Sequence, residues 1–181
     1  MTDSNPGSAG RIAAEWWRVL NPKDRAKQTG LQRAALAHLR RARTPLDAMR
    51  ETAALQLIQR LPRYGNKDRV AALAGILAWV QEDNERSVAR FVGRRSLEET
   101  EAVLSESRFR RLMQVEGNEE LMDAMRRLVH LAGGTVNVRD LSDSVLYWGD
   151  RVRKRWIFDY YGVGPAAPSN SSTAPQGDPA A

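Results

Sequence analysis

The stretch SESRFRRLM, Ser105 to Met113, places Arg108, Arg110 and Arg111 within four positions and sets Phe109 between the first two. The chemistry these residues offer is anion binding. A guanidinium fork meets two phosphate oxygens at once and stacks on a base, whereas a lysine ammonium acts as a point charge. At about 100° per residue, Phe109, Leu112 and Met113 fall on one stripe, Arg111 points away from it, and Arg108 and Arg110 flank the outer face. The layout recurs in AMRRLV, where Leu121, Met125, Leu128 and Val129 pack and leave Arg126 to one side and Arg127 outward. It recurs again in LQRAALAHLRRAR, where Arg33 and Arg40 share the exposed face with Arg41 and Arg43 at its margins. Of the 28 basic residues 24 are arginine and 4 lysine, the net charge is +6, and the pI is near 10.1. Solvated pairs with acids such as Glu106, Glu116 or Asp123 account for a single arginine, and a GC-rich genome raises arginine usage by itself. Three like clusters point instead to sequence-independent contact with a phosphate backbone.

Catalytic chemistry has little to work with. His38 and His130 are the two histidines; the first shares a helical face with Leu31, Ala35 and Ala42 and is expected to pack, the second to cap a helix end. No G-x-S-x-G or glycine-rich phosphate loop occurs, and the absence of cysteine removes disulfides, thiolate zinc sites and thiol nucleophiles. The acidic runs EDNE and EETE lack the ligand spacing of a calcium loop and read as solvated surface. No enzyme, metal or cofactor is expected. The opening MTDSNPGSAG has no apolar signal core and no run approaches membrane-spanning length, so a soluble cytoplasmic protein with no membrane partner is expected.

The elements that must position the arginines are helices. Ile12, Trp16, Val19 and Leu20 share one helical face, and Asn21-Pro22 is expected to start a second helix that Gly30 kinks. Thr44 caps TPLDAMRETAALQLIQRL, with Pro45 as its first residue and Pro62 beyond its end. NKDRVAALAGILAWVQED is apolar on most sides and forms the central buried helix. Ser96 with Glu99 marks a capping box for SLEETEAVL, and Asn118 opens NEELMDAMRRLVHL, which Gly133-Gly134 ends. NVRDLSDSVLYW and DRVRKRWIFDYY follow, joined at Gly149; GTVNV is the one strand candidate. Val152, Trp156, Ile157 and Tyr160 form an inward stripe, Trp16, Trp79 and Trp148 are core anchors, and Trp17 covers a helix crossing or a subunit contact. The reading is an all-α bundle of two small lobes, residues 10–94 and 95–162, between a disordered N-terminus (1–9) and a Gly/Pro/Ser/Ala-rich disordered tail (163–181).

In order and spacing, EWWRVL, LRRARTPLDAM with LIQRLP, SESRFRRLMQ with LMDAMRRLVHLA, and VNVRDLSDSVLYWGDRVRKRWIFDYY resemble the CasB family, the small subunit of the type I-E CRISPR Cascade surveillance complex. The resemblance covers most of Gly10 to Tyr161; NPKDRAKQTGLQRAALAH is longer than the pattern and the tail is outside it. It implies a non-catalytic subunit present in two copies, lying along the crRNA-bearing backbone subunits and against the large subunit. It further implies binding of crRNA and of target and non-target DNA strands through basic surfaces, stabilising the R-loop and above all the displaced strand. Carried over by position, these surfaces comprise Arg40, Arg41, Arg108, Arg111, Arg126 and Arg127, with Lys67 or Arg69 and Arg151 at further basic positions. R-loop formation exchanges a duplex for a hybrid at nearly balanced energy, so holding the displaced strand tips it. Neutralising about six phosphates gives a log-log salt slope of roughly −4 on single strands. Two other readings stand beside it: a free-standing helical DNA-binding regulator, which needs a base-reading helix that this chain does not display, and a helical adaptor whose basic face is only solvated.

Overall fold

In the computed structural model, which describes residues 6–163, the fold is built around α5 (Lys67–Leu77). Every residue from Arg69 to Leu77 is buried, because helices close on it from all sides. Before it come α1 (Pro6–Leu20), a 3-10 turn (Arg25–Lys27), α2 (Gly30–Arg41), α3 (Pro45–Met49) and α4 (Thr52–Arg60). After it come β1 (Glu82–Asp83), α6 (Val88–Val92), α7 (Glu106–Leu112), α8 (Asn118–Leu131), β2 (Thr135–Val136), α9 (Val138–Leu146) and α10 (Asp150–Tyr160). The all-α expectation holds. β1 and β2 form only a two-residue parallel ladder, Glu82 opposite Thr135 and Asp83 opposite Val136. Gly133 and Gly134, at φ 68° and 79°, end α8 in the left-handed region that side chains avoid and turn the chain into β2.

The core does not divide at residue 94. α1 packs along α9 and α8 packs on α5, so elements from both halves enclose one continuous apolar cluster. The α1–α9 crossing is close: Gly10 N donates to Asp143 Oδ1 at 2.8 Å, and a Cβ on Gly10 would lie 2.5 Å from that carboxyl group.

Several local expectations change. Residues 6–9, expected to be disordered, belong to α1; residues 1–5 and 164–181, also expected to be disordered, lie outside the described residues. Asn21 caps nothing: its buried side chain donates to Trp17 O, and α2 starts instead at Gly30 under a reciprocal capping box of Thr29 and Gln32. Thr44 does cap α3, with Pro45 first, but the helix stops at Met49 and a new one starts at Thr52. SLEETEAVL is irregular. Leu97 and Val103 are exposed and Leu104 alone of its large apolar residues is buried. A cap contributes about 1 kcal/mol, whereas ordering each backbone residue costs about 1–2 kcal/mol, so the segment has too little burial to hold a helix. Ser96 hydrogen-bonds Glu98 rather than closing a box with Glu99. Trp17 is core, donating Nε1 to Val80 O, while Trp79 and Ile157, expected inside, are 37% and 40% exposed.

Candidate nucleic-acid interface

α7 is fixed by its aromatic residue. Phe109 stacks on Tyr160 of α10 with ring centroids 3.8 Å apart and planes 7° from parallel, and Tyr161 meets Phe109 edge-on. Tyr160 in turn donates its hydroxyl to Leu104 O at 2.6 Å, tying the chain two residues before α7 to α10. With Phe109 and Leu112 buried, the three arginines separate. Arg110 turns to Glu106, which also receives Arg94 and the Tyr161 hydroxyl. Burial raises the Glu106 carboxyl, but these donors outweigh it and hold the group below its ordinary pKa. Arg108 and Arg111, three residues apart, take the other side of the helix.

That side faces α8. Between them runs a groove of about 750 Å³, floored by Leu104, Leu112, Val115, Ala124 and Leu128. Its lining also includes Arg108 and Arg111 from α7, Arg126 and Arg127 from α8, and Trp79, His130 and Leu131; Asp123 is its one acid among the lining residues. Arg108, Arg111 and Arg127 are exposed and have no side-chain partner among the described residues. A second basic groove lies beside α6, where Arg86, Arg90, Arg94 and Arg95 face Glu98, Glu99, Glu101 and Glu106. Its own acids match its arginines one for one. The first groove is the one left with uncompensated cations.

Not every arginine expected at a surface stands there. Arg126, expected to one side of α8, points its guanidinium inward and donates to Ala42 O at 2.6 Å, Leu39 O at 2.9 Å and Gly75 O at 3.2 Å. Those carbonyls belong to the end of α2 and the last turn of α5, which lack partners within their own helices. Arg40, expected on the exposed face of α2, donates Nε to Ala78 O at 2.7 Å, at the cap of α5. Arg69 is buried, bound to Asn118 Oδ1 at 2.5 Å and to Val145 O at 3.2 Å, the end of α9. Burial lowers the pKa of all three from the ordinary guanidinium value. Their donors are committed to the fold.

The remaining candidates are exposed. Among the described residues Arg41, at the end of α2 beside the carbonyls that Arg126 holds, has no partner. The same is true of Arg151 at the start of α10 and Lys67 at the start of α5, and all three lie outside the groove lining. Arg33 gives Nη1 to Gln28 O at 2.6 Å. No cluster of three or more His, Cys, Asp or Glu suited to a metal ion occurs among the described residues, and no helix there is long and apolar enough to cross a membrane.

The model of the CRISPR-associated protein Cse2 family matches residues 35–161. The chain belongs to that family. The match runs from the middle of α2 to the end of α10, so it takes in both walls of the groove and leaves Arg33 outside. Two solved structures share the fold. CasB from Thermus thermophilus is 21% identical, with a TM-score of 0.61 over 84% of this chain and 97% of that one. A chain in the crystal structure of E. coli Cascade bound to a PAM-containing dsDNA target is 16% identical, with a TM-score of 0.60 over 83% and 95%. No curated protein matches the sequence.

Among family residues, Trp79 and His130 were not legible as groove residues. Trp79 follows a run of buried residues and has the composition of a core anchor. Only the end of α5 at Leu77, which releases the chain just before it, turns the indole outward.

Proposed function

We propose that this protein is the non-catalytic small subunit of a type I-E Cascade surveillance complex, and that its α7–α8 groove holds the displaced non-target strand while crRNA pairs with the target. The observation that carries this reading is the convergence of Arg108, Arg111 and Arg127, from two helices, on one groove with a single acid. Its partners are then the backbone and large subunits of the complex, a second copy of itself, crRNA and both DNA strands. The Cascade complex with its dsDNA target, named for one of the structural relatives, supports other Cascade subunits and target DNA among these partners. A strand held by arginines alone needs no base reading, since the guide supplies sequence recognition.

Arg41, Arg108, Arg111 and Arg127 form the working track. Four neutralised phosphates give a log-log salt slope of roughly −3 on single strands, shallower than six contacts would give. The test replaces Arg41, Arg108 and Arg127 together by alanine in a reconstituted complex. Assembly is expected to stay intact and the R-loop lifetime to shorten; an unchanged lifetime with full assembly refutes the strand-holding role.

A further inference from the structure

The five tryptophans divide by what their indole N–H does. Trp16 donates to Ala53 O, Trp17 to Val80 O, Trp148 to Val115 O and Trp156 to the Ser144 hydroxyl, and all four are buried. Among the described residues Trp79 alone of the five has no acceptor for its N–H, and it is 37% exposed. A buried indole ordinarily finds a protein partner for its N–H, as these four do, whereas an exposed one is left to solvent or to a ligand. Here the ring lies instead on the wall of the groove that carries Arg108, Arg111 and Arg127.

An aromatic face beside a row of free guanidinium groups is the arrangement that grips single strands: phosphates follow the cations while a base lies flat on the ring. Bases within a duplex are stacked on one another and cannot reach such a surface, so the pairing of groups favours an unpaired strand over a double helix. The groove floor is apolar, which suits the edge of an inserted base and offers little to a phosphate. We infer that Trp79 is a stacking platform for a base of single-stranded DNA, so that the α7–α8 groove selects unpaired strand by base contact as well as by charge. This rests on the groove being the strand-holding surface.

The experiment uses the full chain, a twelve-residue oligothymidylate, and the same strand with abasic sites throughout. Because the other four indoles are buried, fluorescence quenching on adding the oligothymidylate reads Trp79. The wild type is expected to quench and to bind oligothymidylate roughly 5- to 100-fold more tightly than the abasic strand. Trp79→Leu keeps the apolar bulk but not the stacking face; it should bind both strands equally, at the abasic level, with an unchanged salt slope. Trp79→Phe should recover most of the preference. Arg108→Ala with Arg127→Ala should flatten the salt slope and leave the preference in place. If Trp79→Leu retains the full preference while the arginine variant still weakens binding, the inference fails and the groove stands. If neither variant alters binding, both fail. An equal loss on both strands in Trp79→Leu makes the residue structural and overturns the inference.

Discussion

Arg126 and Arg127 are neighbours in sequence and have opposite uses. Arg126 faces the junction of α2, α5 and α8 and gives donors to three main-chain carbonyls. Arg127 lines the groove, and its fork meets no partner among the described residues. The junction needs cations because two helix ends meet there with carbonyls that no backbone N–H can reach, and a planar five-donor fork serves several at once. At the groove lip, on the function proposed above, an uncommitted fork is what a phosphate would bind. The arginines therefore divide into those committed to the fold and those left exposed, and only the exposed ones are available to a partner. A charge sum makes no distinction between them.

The comparison breaks most easily at Arg126. Arg126→Ala leaves three carbonyls short of partners and is expected to cost about 3 kcal/mol or more, lowering the melting temperature by roughly 6–12 °C. Arg126→Lys should recover little, since one ammonium cannot reproduce the planar fork. Differential scanning calorimetry reads both, and a loss below about 0.5 kcal/mol would return Arg126 to the binding surface. Gly75→Ala attacks the same junction from α5. A Cβ there would lie 2.4 Å from Met122 Cε and 2.7 Å from Arg126 Nη2, so both must move. Both are flexible side-chain ends, and a smaller loss of about 1–3 kcal/mol is expected in urea unfolding.

The internal wiring also includes an acid. Asp143, half-buried where α1 meets α9, is raised by desolvation to about 6 despite the Gly10 N–H that it accepts. A carboxyl with a raised folded pKa binds its proton more tightly folded than unfolded. Its contribution is thus greatest below about pH 4, the unfolded value, and is lost as pH rises through 6. Asp143→Asn should remove that portion of the pH dependence, measured as the difference between the two stability curves from pH 4 to 7. The arginines stay charged throughout that range. Smallest of all, Arg127→Ala should alter stability by less than about 0.5 kcal/mol while reducing the oligonucleotide salt slope by about 0.7. A melting shift comparable to that of Arg126→Ala would erase the distinction between the two residues.

Much of this was legible from local signals. Thr44-Pro45 marks a helix start because the cap and the fixed proline φ act within one turn, and Lys67–Leu77 reads as buried because it is apolar all round. The face of α7 follows from Phe109, Leu112 and the helical repeat. The division between Arg126 and Arg127 does not. Periodicity places Arg126 beside the stripe, but the carbonyls that claim it lie 84 and 87 positions away on α2. The same limit hides Arg40 and Arg69, whose acceptors are on other helices. SLEETEAVL fails for the opposite reason: its local cap was clear, and the missing ingredient was a surface to bury against.

Arg126 also couples two places where a strand would touch. It binds the end of α2, one residue from Arg41, and sits one residue from Arg127 on α8. The backbone positions that carry those two cations are thereby tied together when the chain folds, while their exposed side chains keep their own rotamer freedom. On the function proposed above, a strand would meet two anchor points already joined through the core, and less freedom would remain to be lost on binding.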